Sequence, residues 1–295
     1  MGDIKALIEK AGVLVEALPY IQRFRRKVVV LKYGGSAMSS GDPDGILRDV
    51  VFMECVGIRP VVVHGGGNAI STRLKERGIV PRFVSGLRVT DAETMKVVEE
   101  VLLEVNRGIV ARLEQLGGRA RGLAGRDGVL RAKRHFLEVE NDGRKERADI
   151  GFVGDVEAVA TGPLRELLKK DIIPVIAPIG TDAEGNLYNI NADTAAGEVA
   201  AALKAEKLIL LTDVRGILRN PEDEGSLIGT LRIGDIATLT AAGVLKGGML
   251  PKVQAGVTSV NAGVPKTHIV DGRLPHSTLL EIFTDAGIGT EIVKG

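Results

Sequence analysis

The chain opens with apolar residues at helical spacing. These positions are Ile4, Leu7, Ile8, Ala11, Leu14, Val15, Leu18 and Ile21. The spacing predicts an amphipathic helix over residues 4–24, which Pro19 should kink or break. Because this helix precedes the first apolar strand, we expect it to cap the domain or to pack against another subunit.

Short apolar runs then alternate with helical patterns. The predicted strands are "KVVVLKYGG", "RPVVVHGGG", "IIPVIAPIG" and "KLILLTDVRGIL", and the clearest helices are "DAETMKVVEEVLLEVNRGIVARLEQLG" and "NADTAAGEVAAALKAE". This alternation is typical of an α/β fold with a mainly parallel sheet and helices on both faces. Residues 119–160 are charged and rich in glycine, which predicts hairpins at one edge of the sheet. We expect a domain boundary near residue 190.

Glycine-rich turns lie next to several of these runs, at Gly34-Gly35, Gly65-Gly66-Gly67 and Gly247-Gly248. Glycine lets backbone N–H groups approach an anion closely, and a helix that starts after the turn adds its positive end. Lys32 lies just before the first turn, so an anion site is favoured over a packing role alone. The Walker A, G-x-G-x-x-G and protein-kinase signatures are absent from these turns.

Composition narrows the possible partners and compartments. The 295 residues carry 39 Lys plus Arg and 38 Asp plus Glu, a net charge of +1, which gives no support to a nucleic-acid or membrane partner. Cys55 is the one cysteine, so neither an intramolecular disulfide nor a cysteine zinc site is expected. Early charged residues argue against a signal peptide. We therefore expect a cytoplasmic protein.

Seven motifs then occur in order: "LKYGGSAM", "VVVHGGG", "GLRVTD", "GFVGDVEAV", "NINADTAA", "LILLTDVRGIL" and "GGMLPKV". Together they resemble the acetylglutamate kinases of the amino-acid kinase family. The resemblance implies an open αβα sandwich in which residues 27–190 hold the amino-acid substrate and a dimer contact, and residues 191–295 hold ATP. It implies phosphorylation of the side-chain carboxylate of N-acetyl-L-glutamate, the second step of arginine synthesis, with Mg²⁺ carried by ATP and with no dedicated metal site.

The same resemblance assigns the catalytic roles to Lys32, Lys252 and Asp193. The attacking carboxylate has a pKa near ~4 and is already ionised, so the reaction needs positive charge and positioning rather than a base. The resemblance implies that both lysines contact the transferring phosphoryl group and that Asp193 holds both lysines in place. From the residues alone, Lys252 could be a solvated helix lysine, and Asp193 could be a helix N-cap.

Binding residues follow from the same motifs. The expected substrate contacts are Gly35, Gly66, Gly67, Arg88, Asn189 and Asn191, and the expected ATP contacts are Lys32, Thr212, Asp213, Gly216, Ile217, Leu218, Lys246, Gly247 and Lys252. Arg88 has a planar fork suited to the α-carboxylate, although it could instead form a surface ion pair with Asp91. Asn189 suits the acetamido group, although asparagine is also a common turn residue. His64 is expected to orient its glycine turn rather than to bind metal.

Regulation is the last expectation. The helix before the first strand and the stretch "STLLEIFTDAGIGTEIV" resemble those of the arginine-sensitive, ring-forming members of the family. They imply inhibition by L-arginine through His268, Glu281 and Gly287, in a hexamer built from three dimers with contacts from residues 1–26. On its own, Glu281 would be interpreted as a solvated helix residue. Two other functions stay open: a related kinase that acts on carbamate, aspartate, glutamate or a nucleoside monophosphate, or a ligand-sensing regulator without turnover.

Overall fold

The computed structural model describes residues 2–38, 44–141, 144–284 and 287–295. Its strands are β1 (Val28–Tyr33), β2 (Arg59–His64), β3 (Phe83–Val84), β4 (Leu87–Arg88), β5 (Ala120–Leu123), β6 (Leu130–Asn141), β7 (Arg144–Val159), β8 (Ile173–Ile176), β9 (Ile179–Thr181), β10 (Leu187–Asn189), β11 (Lys207–Thr212), β12 (Thr230–Arg232), β13 (Lys266–Asp271) and β14 (Thr290–Val293). Its α-helices are α1 (Gly2–Glu16), α2 (Leu18–Phe24), α3 (Gly45–Cys55), α4 (Gly67–Glu76), α5 (Ala92–Gln115), α6 (Thr161–Lys169), α7 (Ala192–Leu203), α8 (Ile236–Ala241), α9 (Met249–Asn261) and α10 (Ser277–Ile282).

An eight-stranded sheet runs through the centre of the molecule in the order β12-β14-β13-β11-β1-β2-β8-β5. All neighbouring strands are parallel except β13 and β14. The mainly parallel sheet predicted from the sequence is therefore confirmed. The four strands from residues 27–190 form one half of the sheet and the four later strands form the other. The two predicted lobes thus share one sheet, joined where β1 pairs with β11.

Successive residues of the central strands point to opposite faces, so both faces are buried. On one face, Val30 and Leu208 pack with Val199 of α7 in the larger core. On the other face, Leu31 and Ile209 pack in a second core that also takes residues from α3, α5 and α10. Layers of helix, sheet and helix result, which confirms the αβα sandwich.

The charged stretch after residue 119 forms a hairpin in a different place from the one expected. Strands β6 and β7 pair with each other and, with β9 and β10, close a small four-stranded barrel separate from the main sheet. Register shifts at Arg131/Ala132 and Arg134/Phe136 bend the hairpin, as β-bulges do. The expectation of hairpins at an edge of the main sheet was therefore wrong, and β5 forms that edge.

The N-terminal helix is broken, as predicted, but ahead of the proline. The break falls at Ala17, and Pro19 lies in the first turn of α2, where its missing N–H costs nothing. Apolar residues of α1 are exposed, for example Ile4 at 64 % and Leu14 at 69 %, whereas Phe24 at the end of α2 is 2 % exposed and belongs to the core. Within the described ranges, no helix has the length and apolar character needed to cross a bilayer.

Candidate active site

Three charged side chains from separate elements meet at the C-terminal edge of the sheet. Lys32 lies near the end of β1, and its Nζ is 3.2 Å from Oδ1 of Asp193 in the first turn of α7. Lys252, in the first turn of α9, donates from Nζ to Oδ2 of the same carboxylate at 2.7 Å. The structure therefore brings together the three residues for which catalytic roles were expected. The alternative of a solvated Lys252 is wrong, because its side chain is only 14 % exposed.

Burial makes this cluster electrostatically strong. Burial lowers the pKa of Lys32, and the nearby Asp193 offsets that shift only in part. Burial alone would raise the pKa of Asp193, but the two lysines outweigh it and lower that pKa. Two ammonium groups share one carboxylate, so positive charge is in excess in a site with little solvent to screen it. Such a site attracts an anion.

Asp193 is free for this role because another residue caps the helix. Asn191 is the N-cap of α7, and its Oδ1 accepts from the backbone N–H groups of Asp193 at 2.9 Å and Thr194 at 3.1 Å. The interpretation of Asp193 as the N-cap is therefore wrong. The cap lies two positions earlier, and the carboxylate points instead to the lysines.

The first two glycine turns pack against each other, backbone to backbone. A Cβ on Gly34 would lie 2.9 Å from the backbone nitrogen of Gly65, so a larger residue would force the strand ends apart. Gly35 has a φ of 61°, the left-handed region that favours glycine. The second turn runs into α4, which has Gly66 as its N-cap and begins at Gly67. Its N-terminal N–H groups lie at the same edge as Lys32.

A cavity of about 260 Å³ opens between these turns and the strands beyond them. We call it the acceptor cavity; its lining includes Lys32, Gly35, Gly65, Gly66, Gly67, Ile70, Phe83, Arg88, Leu102, Val153, Asn189, Asn191 and Asp193. All six residues for which substrate contacts were expected line it. Phe83 and the apolar members are residues that the sequence interpretation missed, since a short strand before "GLRVTD" carries no signal of its own.

Arg88 is held inside the acceptor cavity by hydrogen bonds. It is 7 % exposed, and its Nη2 donates to the carbonyl of Gly67 at 3.0 Å and to Oγ of Ser71 at 2.9 Å. Its Nη1 is buried and has no hydrogen-bond partner within the described part of the chain. The alternative of a surface ion pair with Asp91 is wrong, because Arg88 is buried and Asp91 instead caps α5 by accepting from Thr94. A buried donor without a partner is suited to an incoming anion.

Asn189 lies opposite, at the end of strand β10 rather than in a turn. Its Nδ2 donates weakly to Oγ1 of Thr90 at 3.3 Å. The amide therefore keeps an oxygen and a second N–H for another partner. The alternative of a turn role for Asn189 is wrong.

A second cavity, of about 350 Å³, lies on the other side of Lys32. We call it the nucleotide cavity; it is lined by Lys32, Gly34, Gly35, Leu211, Thr212, Asp213, Val214, Gly248, Met249 and Lys252. Four of the expected ATP contacts, Lys32, Thr212, Asp213 and Lys252, are among them. The two cavities share Lys32 and Gly35, so two ligands would meet end to end at this lysine.

The structure does not bring the other expected ATP contacts into the nucleotide cavity. Gly216 and Ile217 are buried against Thr290, whose Oγ1 accepts from the N–H of Ile217 at 2.8 Å. Leu218 is bridged to Leu227. Lys246 and Gly247 are exposed just before α9. Both segments lie beside the nucleotide cavity, but the sequence could not show which residues of each turn line it.

A third cavity, of about 330 Å³, contains the three residues expected to bind an effector. We call it the effector cavity; its lining includes Tyr20, Arg23, Phe24, Lys207, Thr230, Lys266, His268, Glu281, Gly287, Gly289 and Glu291. Helix α2 thus forms one wall. The kinked helix was expected to join the effector site to the active cleft, but the sequence did not show which of its residues face Glu281.

Glu281 is the central charge of the effector cavity. It is 3 % exposed, so the interpretation of a solvated residue is wrong. It accepts from His268 Nδ1 at 2.5 Å and from the N–H of Ile288 at 3.1 Å, and Lys207 donates to its backbone carbonyl at 2.7 Å. Burial alone would raise the pKa of Glu281, but these hydrogen bonds and Lys207 outweigh burial and lower it.

Comparison with known proteins agrees with the fold. The model of the amino acid kinase family matches residues 27–271, and the chain belongs to that family. It is 56 % identical over 295 residues to an acetylglutamate kinase of Heliobacterium modesticaldum, covering 99 % of this chain and 100 % of that one. An acetylglutamate kinase of Moorella thermoacetica is 49 % identical, covering 98 % of each chain.

Solved structures show the same fold. An N-acetylglutamate synthase from Neisseria gonorrhoeae, complexed with coenzyme A and N-acetyl-glutamate, has a TM-score of 0.83 and 27 % identity, and the match covers 97 % of this chain and 63 % of that chain. The same synthase complexed with coenzyme A and L-arginine has a TM-score of 0.79, with 27 % identity over 97 % of this chain and 65 % of that chain. A carbamate kinase from Giardia, with a TM-score of 0.65, 15 % identity and coverage of 91 % of this chain and 99 % of that one, shares the fold alone.

Proposed function

We propose that the chain is a kinase that transfers the γ-phosphoryl group of ATP to the side-chain carboxylate of N-acetyl-L-glutamate, a step of arginine biosynthesis in the cytoplasm. The observation that carries this proposal is the meeting of the acceptor and nucleotide cavities at Lys32 and Gly35, beside a carboxylate shared by two lysines. The full-length similarity to acetylglutamate kinases supports the choice of substrate.

The reaction is an in-line displacement. An oxygen of the acceptor carboxylate forms a bond to the γ-phosphorus, the bond to the β–γ bridging oxygen breaks, and ADP leaves with that electron pair. The acceptor is ionised at neutral pH, so no base is needed, and Asp193 holds the lysines rather than taking a proton. Lys32 lies where the two ligands meet, and Lys252 reaches from the nucleotide side. Both neutralise charge that spreads over the phosphoryl oxygens in the transition state.

The acceptor cavity recognises the rest of the substrate by its polar groups. Arg88 offers its unpartnered Nη1 to the α-carboxylate, and the Asn189 amide pairs with the acetamido group. A free amino acid would bring a charged ammonium group close to Arg88, whereas the N-acetyl group removes that charge. The arrangement therefore favours an N-acylated acidic amino acid.

Mg²⁺ would arrive on ATP rather than reside in the protein. Among the described residues, no group of three His, Cys, Asp or Glu side chains is placed to hold a metal ion. The carboxylate nearest the reaction, Asp193, faces a lysine with each oxygen. These residues fit a cation carried by the nucleotide phosphates and water, as Mg²⁺ commonly is.

The test is release of ADP from the purified chain with ATP and one acceptor at a time. N-acetyl-L-glutamate should give rapid release, and L-glutamate, L-aspartate, carbamate and nucleoside monophosphates should give little. Faster release with one of these four would assign the chain to a different substrate. Tight binding of N-acetyl-L-glutamate without release of ADP would instead favour a ligand-sensing regulator.

L-Arginine as an inhibitor is a second part of the proposal. The effector cavity is lined by Glu281 and Glu291, whose carboxylates already accept from His268, Thr230 and Lys266 and keep further lone pairs for a guanidinium group. The backbone at Gly287 would meet the α-carboxylate and amine. The solved synthase that contains L-arginine has the same fold. Because α2 forms one wall, a ligand in this cavity would contact α2 directly.

The proposed assembly is a homodimer and, from three dimers, a homohexamer. The exposed apolar stripe of α1 would be buried against α1 of another copy. Sedimentation should show a hexamer, and inhibition titrations should show turnover falling with L-arginine. A dimeric chain that millimolar L-arginine neither binds nor inhibits would contradict both parts.

A further inference from the structure

A fully buried histidine lies directly under the second glycine turn. His64 is the last residue of β2 and is 0 % exposed. Its Nδ1 is 2.8 Å from the carbonyl oxygen of Gly65, and its Nε2 is 3.1 Å from Nδ2 of Asn106 on α5. Asn106 is itself 5 % exposed, so both side chains are buried. The pair lies behind the acceptor cavity and does not line it.

The contacts fix where the proton of the imidazole lies. A carbonyl oxygen only accepts, so Nδ1 must carry the hydrogen that bonds Gly65, and Nε2 must accept. Nδ2 of Asn106 also donates to the carbonyl of Val175, at 2.9 Å. Two acceptors face this one nitrogen, so the amide has a single orientation. Burial lowers the pKa of His64 to about 4, which keeps the ring neutral at the pH of the cell.

The histidine then determines the direction of the next peptide. Gly65 is held at both ends, since its N–H donates to the carbonyl of Tyr33 at 2.7 Å and its carbonyl accepts from His64. In a trans peptide, C=O and the following N–H point in opposite directions. The N–H of Gly66 therefore points away from His64, and Gly66 itself lines the acceptor cavity.

We propose that Asn106 and His64 are positioning residues for phosphoryl transfer: Asn106 holds the ring of His64 by donating to its Nε2, and His64 holds the Gly65–Gly66 peptide with its N–H aimed at the transferring group. This inference rests on the proposed kinase function. Neither side chain touches a substrate. The two residues should affect the rate through the transition state, because a hydrogen-bond donor misplaced by about 1 Å lowers the rate by up to about 10²-fold.

A matched pair of variants separates positioning from packing. His64→Asn carries an amide nitrogen where histidine has Nδ1, so it can still donate to Gly65. His64→Gln carries its amide where histidine has Nε2 and cannot. We expect kcat to fall by about 10-fold or more in His64→Gln and by less than about 3-fold in His64→Asn, with KM for both substrates nearly unchanged. Glutamine is nearer to histidine in size, so a packing role predicts the reverse order, and that order would overturn the proposal.

The tautomer can be measured without any substrate. Long-range ¹H–¹⁵N spectra of the intact chain should show His64 protonated at Nδ1. Asn106→Leu removes the donor to Nε2 and should lower kcat more than KM rises, whereas Arg107→Leu, at an exposed position of the same helix, should leave both constants nearly unchanged. An Nε2–H ring in the unmodified chain overturns the proposal even if every variant fails to fold. Absence of kinase activity would instead overturn the proposed function. The tautomer measurement would remain valid, because it needs no substrate.

Discussion

Lys252 Nζ lies 2.7 Å from Asp193 Oδ2, and this ion pair joins the first turn of α9 to the first turn of α7. Lys32 reaches the other oxygen of the same carboxylate from β1. Three elements thus meet on a single side chain that is 6 % exposed. Removing Asp193 would leave both ammonium groups without their shared counter-ion, whereas removing either lysine leaves the carboxylate paired with the other.

Loss of either lysine should slow the chemical step. We expect Lys32→Ala and Lys252→Ala each to lower kcat by about 10²-fold or more, because each removes charge that stabilises the transition state. KM for ATP and for N-acetyl-L-glutamate should change much less. Steady-state kinetics with Lys169→Ala, an exposed lysine that pairs with Glu166 on its own helix, provides the control. Near-normal kcat in both variants would remove the two lysines from the mechanism.

Loss of the shared carboxylate should change the pH dependence. Asp193 raises the pKa of Lys32 against the larger lowering effect of burial. In Asp193→Asn that support is gone, so the pKa of Lys32 should fall further and the lysine should lose its proton at lower pH. The alkaline limb of the kcat profile should therefore move to lower pH. A limb that stays in place or moves upwards would show that Lys32 does not titrate with the activity.

Arg88 should affect one substrate only. Arg88→Lys keeps the charge but loses the two-pronged geometry and the bonds to Gly67 and Ser71. A charged hydrogen bond is worth about 1.5–3 kcal/mol, so we expect KM for N-acetyl-L-glutamate to rise by about 10-fold or more. KM for ATP should stay nearly constant. An equal rise in both KM values would show that Arg88 does not act specifically on the acceptor substrate.

The contact between the two glycine turns should not tolerate a methyl group. A Cβ on Gly34 would meet the backbone of Gly65 at 2.9 Å, and a backbone cannot rotate aside as a side chain can. We expect Gly34→Ala to cost about 1–3 kcal/mol in the free energy of unfolding and to lower kcat by parting the turns. Gly162→Ala, where a Cβ meets nothing within 4 Å, is the control in the same denaturation experiments. Equal stability of the two variants would contradict the prediction.

The N-terminal helix can be removed without touching the core. Deletion through residue 24 would take away Phe24, which is 2 % exposed, so the sharper variant lacks residues 1–16 only. It should sediment as a dimer, keep its kinase activity and lose most of its inhibition by L-arginine. A hexamer that persists after this deletion would place the ring contact elsewhere. The matched control is Lys5→Ala, which changes a polar position of α1 and should leave the hexamer intact.

The sequence predicted the central strands because they are buried on both faces and are continuous apolar runs. It could not place the hairpin of β6 and β7, since alternating charge shows that a strand is exposed but not which strand it pairs with. The motifs named Lys32, Asp193 and Lys252 individually, yet their contact depends on packing between residues far apart in the chain. The sequence could not show that Asn191 rather than Asp193 caps α7, because asparagine and aspartate are equally good N-caps. Only the backbone geometry at the start of the helix distinguishes the two.

Strand β11 touches two of the three cavities, one at each end. Lys207 at its start lines the effector cavity, and Thr212 at its end lines the nucleotide cavity. At about 3.3 Å per residue, the strand sets these two positions roughly 17 Å apart. One residue inserted before Leu208 would reverse the faces, because side chains alternate along a strand. Leu208 would then point into the core that now holds Ile209, and Ile209 into the core that now holds Leu208. The strand therefore fixes the distance between the effector and nucleotide cavities. Insertions or deletions that preserve activity should fall in the loops around it rather than within it.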